Sequence, residues 1–438
     1  MKDGGSGGRG AGAGDLHRAG WLGLGLVLCL SACQGCNGGE AHGSGPSPAD
    51  TTLARLLAEI QPVVERSSGI QAVRPLNVAP TDEARLREYI ATQLETQLSR
   101  AEAAAITAVY ARLGLVPDTL DLGALLAALL EEQVIGYYDP VSDTLFVHDR
   151  VPTAELEPVL AHELVHALQD HLVDLDSIGR ALEGSNDAVT AWQAVVEGHA
   201  TFAMMEWQFS AMMGGEADLT ELDDLGDMLS GIDLTALGDF GSTAVLAAAP
   251  AVIREGLIFP YVGGLVFLQR AWKERPSRPL PFGADRPLST EQVLHVDRWL
   301  ARDEPTGIRF AEPPPAGWET MYEKDFGELE TRIFLTEHLD DAERAETAAA
   351  GWDGDAYRLV RGSGGEVLVW VSVWDSENDV AEFMTAARDA YSARYPAAER
   401  IVSIVGTDVG GRTVVRIVDA ASGTEVPEAL RSVELLGG

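Results

Sequence analysis

The string His162-Glu163-Leu164-Val165-His166 constrains this chain more than any other feature. Residues four apart on an α-helix lie one turn apart on one face, so both imidazoles can address a single ion. Glu163 stands beside them, placed to take a proton from a metal-bound water. Every other residue from Val159 to Leu168 is apolar. A helix apolar on all sides is buried, and three ionisable groups in a buried helix need a partner. A metal ion satisfies all three. The alternative is a core helix carrying two hydrogen-bonded histidines.

Catalytic zinc takes three protein ligands and one water, so a third ligand is required. The three cysteines, Cys29, Cys33 and Cys36, all sit near the start of the chain. Zinc in the body must therefore be held by His, Glu or Asp. His171 points about 140° around the helix from His166 and cannot reach the same ion. A metzincin pattern would need Gly at 169 and His at 172, where this chain has Gln169 and Leu172. The best-placed residue is Glu197, in Ala194-Val195-Val196-Glu197-Gly198-His199-Ala200-Thr201 on the next expected helix. Ala194, Ala200 and Thr201 share its face, and small side chains let helices approach closely. His199 points about 200° away from Glu197, so only one of the two can face the metal. Glu197 is favoured, although the residue types admit either.

Lys2, Arg9 and Arg18 precede the apolar run Trp21 to Ala32, which is too short to span a bilayer. It closes in Leu30-Ser31-Ala32-Cys33, which resembles a bacterial lipobox. That reading makes residues 1–32 a signal peptide and Cys33 the lipidated anchor of an exported protein. Residues 33–50 become a flexible tether rich in Gly, Ser and Pro. Gln34, rather than Asp, after Cys33 implies the periplasmic face of the outer membrane if the cell has two membranes. The alternative is an ordinary secretory signal cleaved near Ala32. A formal charge of −36 over 438 residues argues against a nucleic-acid surface, since phosphate binding needs clustered Lys and Arg. The acidic stretch Glu216 to Asp239 reads as a solvated loop, with a lid over a cleft as the second possibility.

Apolar spacing predicts helices over 51–67, 81–113 (with Thr81 as N-cap), 120–130, about 157–174 and about 186–213. Residues 133–140 and 144–148 read as a hairpin leading into the HExxH helix. Its edge could receive an extended peptide, or it merely caps the core. The apolar run Thr243 to Trp272 reads as two packed helices, because Arg254 and Glu255 would fall in mid-bilayer. A short helix is expected near 290–294. Beyond residue 327 come strands at 356–360 and 366–374, a helix over 378–391, and strands at 400–406 and 412–418. The expected fold is α+β. A mainly helical domain (51–326) carries the metal and a small hairpin, and a small α+β domain (327–438) follows.

HELVH followed by a downstream Glu-Gly helix resembles the gluzincin-type zinc metallopeptidases. More narrowly, five strings together resemble a group of largely uncharacterised bacterial exported HExxH proteins. They are Glu132 to Pro140, HELVHALQD, VVEGHAT, Phe259-Pro260-Tyr261-x-x-Gly264 and Ser289-Thr290-Glu291-Gln292-x-Leu294-His295. The similarity covers about residues 70–300 and short stretches around Trp352 and Trp374. It implies a zincin-like fold, one Zn²⁺ and, by analogy, hydrolysis of a peptide or protein substrate with Glu163 as general base. Tyr261, His295 and Tyr138 are the polar residues within these motifs that could stabilise an oxyanion. Asp170, one turn beyond His166, could orient an imidazole or stand in solvent. A non-catalytic, lipid-anchored binding module with a structural or vestigial zinc is the competing reading. Glu163 weighs against it, since a structural site needs no base. Substrate and oligomeric state are open at this level.

Overall fold

Short polar side chains start most of the helices. In the computed structural model, which describes residues 48–436 except 141, 150–151, 230–243 and 397–399, Asp82, Ser99, Asp121, Ser185, Ser289 and Ser376 each accept a hydrogen bond from a first-turn backbone N–H. Such caps satisfy donors that the helix itself leaves open. The expected signal peptide, Cys33 and nearly all of the tether lie outside the described residues. The fold is α+β.

The chain opens with α1 (Pro48–Ser68), β1 (Asn77–Thr81), α2 (Glu83–Gln97), α3 (Arg100–Leu113) and α4 (Leu122–Gln133). The single helix expected over 81–113 is thus two. Thr81 ends β1, Asp82 caps α2, and the chain turns at Leu98 before Ser99 caps α3. Next come β2 (Gly136–Asp139), β3 (Thr144–His148), the HExxH helix α5 (Thr153–Leu172), α6 (Leu175–Leu182) and α7 (Asn186–Met213). The expected hairpin is present, β2 antiparallel to β3, and β1 adds a parallel strand on the other side of β3.

Then follow α8 (Leu225–Leu229), α9 (Ala244–Ala248) and α10 (Ala251–Glu274). Two helices were expected across 243–272, and two are present, but they part at Ala249-Pro250 and α10 runs unbroken through Pro260. It is the one described helix long and apolar enough to cross a membrane, yet half of its most apolar window is buried inside the protein. It packs along α7, and the two helices cross glycine on glycine, Gly198 against Gly264, with no room for a Cβ on either. The first half of the acidic stretch is tied down, Asp224 by Arg270 at 2.8 Å and Asp218 by Arg278.

The remaining elements are α11 (Thr290–Leu294), α12 (Val296–Ala301), β4 (Gly307–Phe310), β5 (Glu319–Lys324), α13 (Gly327–His338), α14 (Ala342–Ala349), β6 (Trp352–Gly362), β7 (Gly365–Trp374), α15 (Glu377–Arg394), β8 (Arg400–Val409), β9 (Arg412–Ala421) and β10 (Val433–Leu436). Five strands form an antiparallel sheet in the order β5-β6-β7-β9-β8. The sequence-based boundary at 326/327 falls directly after β5, whose pairing with β6 puts it in this sheet. One face of the sheet packs with α13 and α15 into the core shared with α5, α7 and α10. The β4–β10 pair helps cover the other face.

Carboxylates brace the seam where the start of α7 meets α11 and this sheet unit. Asp325 accepts the Asp187 N–H at the start of α7 (3.1 Å). Asp187 accepts the Thr290 N–H at the start of α11 (3.1 Å). Asp355 accepts the Phe326 and Gly327 N–H groups before α13 (3.0 and 2.9 Å) and the indole N–H groups of Trp352 and Trp370. Burial raises the pKa of all three carboxyls, with repulsion from Asp325 adding to it at Asp187 and Asp355, and brings Asp355 to about 7, against the backbone N–H groups that favour the anion.

Candidate metal centre

On α5, His162 and His166 project from one face, their Nε2 atoms 3.0 Å apart. The Glu197 carboxylate enters from the middle of α7, with Oε2 3.1 Å from His162 Nε2 and 3.4 Å from His166 Nε2. A tetrahedral zinc with bonds of about 2.0–2.1 Å spaces its ligand atoms about 3.3–3.4 Å apart, so this triangle is the right size. Among the described residues, these three form the one group of His, Cys, Asp or Glu whose ligand atoms cluster closely enough to hold a metal.

The surroundings of the triangle are graded. His166 and Glu197 are buried, whereas the His162 side chain keeps 13% of its surface open to solvent. The cluster therefore has one accessible side. Burial by itself would raise the Glu197 carboxyl, but His166 and His162 overrule it and hold Glu197 down at about 2. Its second oxygen, Oε1, is buried without a hydrogen-bond partner.

Glu163 sits next to the ligands, and its Oε2 is likewise buried and unpartnered. Burial raises its carboxyl above the ordinary range, with His166 and His162 pulling the other way. The backbone N–H of Tyr138 donates to the same carboxylate. This contact follows from strand parity. His148 N–H bonds the Ile135 carbonyl, and Gly136 stands opposite Val147, so Gly136 and Tyr138 turn their backbone groups away from β3. They turn toward α5. A Cβ on Gly136 would fall 2.8 Å from Val159 Cγ1 and 3.8 Å from Glu163 Cγ. Glycine is what lets β2 lie this close to the helix.

The remaining sequence-predicted residues separate cleanly. Tyr261 belongs to the site, since its ring stacks on that of His162 at 5.9 Å, 25° from parallel. The Gly198–Gly264 crossing puts it there, because Tyr261 lies one turn before Gly264 and Glu197 adjoins Gly198. The Tyr138 hydroxyl is committed elsewhere, its one proton shared between Asp143 (2.8 Å) and Asp170 (3.1 Å). Tyr138 thus serves the site through its backbone and not through its phenol. Asp170 orients no ligand imidazole; it accepts from Tyr138 and Arg74. His171 pairs with Asp143 at 3.0 Å, which pins the end of α5 to the β2–β3 turn. His295 pairs with Glu328 of α13 at 2.7 Å, which raises its pKa, and it takes no part in the metal group. His199, the rival third ligand, faces away toward the Ser68 carbonyl at 3.0 Å, and burial pushes it down to about 4.

A family model described as a domain of unknown function (DUF8575) matches residues 317–430, the sheet unit. No curated protein matches the chain. Among solved structures, the chain is similar to a protein from Chloroflexus aurantiacus provisionally described as a hydrolase with a novel fold. Sequence identity is 17%, the match covers 60% of this chain and 92% of that one, and the TM-score is 0.33. Similarity of that degree sets neither fold nor function.

Proposed function

We propose that the protein is a zinc-dependent peptidase whose metal is held by His162, His166 and Glu197. The observation that carries this reading is the convergence of three ligand atoms beside a buried carboxylate with a free oxygen. A structural metal site needs no such neighbour. Zinc bound there would lower the pKa of a coordinated water toward neutrality and polarise a carbonyl.

The protein's own groups divide the remaining work. Glu163, held on one side by the Tyr138 N–H, accepts the proton of the attacking water at its free Oε2 and returns it to the departing amine. Its raised proton affinity suits that exchange. Tyr261, whose ring stacks on His162, is the residue this reading assigns to donate to the developing oxyanion. Gly136, Tyr137 and Tyr138 of β2 are buried, with Gly136 packed against α5, so the hairpin caps the core beside Glu163 and the peptide assignment rests on the metal-and-base chemistry alone. Export and lipid anchoring at Cys33 remain part of this proposal. Fatty-acid labelling of the wild type but not of Cys33→Ser is the expected result, and equal labelling of both removes it.

Glu163→Gln tests the mechanism directly. The variant should bind zinc like the wild type and lose about 10²–10⁴-fold in cleavage of a broad peptide library. Equal cleavage by both proteins overturns the assignment. Stoichiometric zinc with cleavage by neither leaves a lipid-anchored binding module as the better description.

A further inference from the structure

His166 meets the centre with Nε2 and turns Nδ1 to the Gln169 carboxamide, 2.9 Å away on the same helix. Both side chains are fully buried. The carboxamide cannot turn end for end. Its Nε2 donates to the Val196 carbonyl at 2.9 Å, and reversal would set two carbonyl oxygens against each other. Gln169 Oε1 is therefore the acceptor, and the proton between the pair belongs to His166 Nδ1. That leaves the His166 Nε2 lone pair directed at His162 and Glu197.

The second amide proton of Gln169 faces His199 Nδ1 at 3.0 Å. His199 must accept there, so its own proton is on Nε2, which meets the Ser68 carbonyl at 3.0 Å. The rings of Phe282 and Trp272 stand edge-on to His199, at 5.3 and 5.9 Å. His199 itself is fully buried, so solvent offers no substitute partner. Each bond in the series has a fixed direction, and both anchors are backbone carbonyls that cannot reverse.

We propose that Gln169 and His199 are positioning residues for the metal centre. They form a buried relay from the Ser68 and Val196 carbonyls that holds His166 as the Nδ1–H tautomer and presents its Nε2 to the ion. The inference rests on the metal reading above. The opposite tautomer would put a proton where the ligand bond must form, and without the relay His166 would sample both. Groups of this kind typically contribute about 10–100-fold to metal affinity. The relay also ties the ligand to the C-terminal end of α1, so three helices share in setting one imidazole.

The test is chelator competition for Zn²⁺ on the full chain, with the visible spectrum of the Co²⁺ form as a second reading. Gln169→Leu removes the acceptor and should weaken zinc binding about 10–100-fold while shifting the Co²⁺ bands. Gln169→Glu keeps an acceptor toward Nδ1 but sets its second oxygen against the Val196 carbonyl and His199 Nδ1, so it should recover only part of the loss. His199→Phe, suited to the aromatic surroundings, should weaken binding by a smaller factor and decides the matter if Gln169→Leu does not fold. Wild-type affinity and an unchanged Co²⁺ spectrum in the folded leucine variant, or in His199→Phe in its place, overturn the relay alone. A wild type that binds no metal overturns the metal centre itself.

Discussion

Gly198 and Gly264 meet where α7 crosses α10, so closely that a Cβ on Gly198 would lie 2.3 Å from the Gly264 carbonyl carbon. A Cβ on Gly264 would lie 1.8 Å from the Ala194 carbonyl oxygen. These are backbone atoms, which cannot swing aside, so the helices themselves must part. Gly264→Ala should lower stability by at least the 1–3 kcal/mol typical of overpacking, about that much or more, and weaken metal binding by moving Glu197. Denaturant unfolding alongside metal analysis reads both effects. Gly184→Ala, with nothing within 4 Å, should stay within about 0.5 kcal/mol of the wild type. Equal stability of the two variants would refute the crossing.

The two tyrosines near the site should behave oppositely. Tyr261→Phe should lower kcat about 10²–10³-fold, with KM and zinc content nearly unchanged. Tyr138→Phe removes a hydroxyl already spent on Asp143 and Asp170. It should lower the melting temperature while leaving the turnover of the folded enzyme close to normal. Steady-state kinetics on both variants check this, and an unchanged kcat in Tyr261→Phe would exclude the phenol from the chemistry.

Glu197→Ala should purify without stoichiometric zinc, since His162 and His166 alone leave the ion two protein bonds where a catalytic site uses three. Elemental analysis decides, and full zinc retention would mean that another residue completes the set.

Stability should depend on pH through the junction between α11 and α13. Burial, then the nearby Glu328 and Asp375, push Glu291 from 4.5 to about 9, with Arg298 opposing. A carboxyl raised in the folded state holds more protons there than in the unfolded chain between those values, so stability falls as pH rises through that window. The full penalty stands above about pH 9. Melting temperatures taken from about pH 6 to about pH 9 should decline in the wild type and decline less in Glu291→Gln. Parallel slopes would remove Glu291 as the cause.

Much of the site could be read from sequence because its signals are local. The four-residue spacing of His162 and His166 is a property of a single helix. The limits of α7 follow from the Ser185 cap and from Gly214 in the left-handed region at φ 67°. Failures came where the deciding contact is distant. β1 was missed because Asn77-Val78-Ala79-Pro80-Thr81 is short and holds a proline, tolerable only on an edge. Tyr261 and His295 both sat in motifs, and only the packing of α10 and α13 tells them apart. Gln169 looked like a mere departure from another pattern, because its partners Val196 and His199 lie on a different helix.

The Asp325–Asp187 contact bears on how the chain can be cut. Asp325 comes from the segment that matches a family model, yet the N–H it accepts belongs to the helix that carries Glu197. A protein ended before residue 317 would leave the front of that helix with bare donors and an exposed seam. The sheet unit is therefore the doorpost on which the ligand-bearing helix hangs. A truncated version should be expected to lose its grip on the ion well before it loses the ion's ligands.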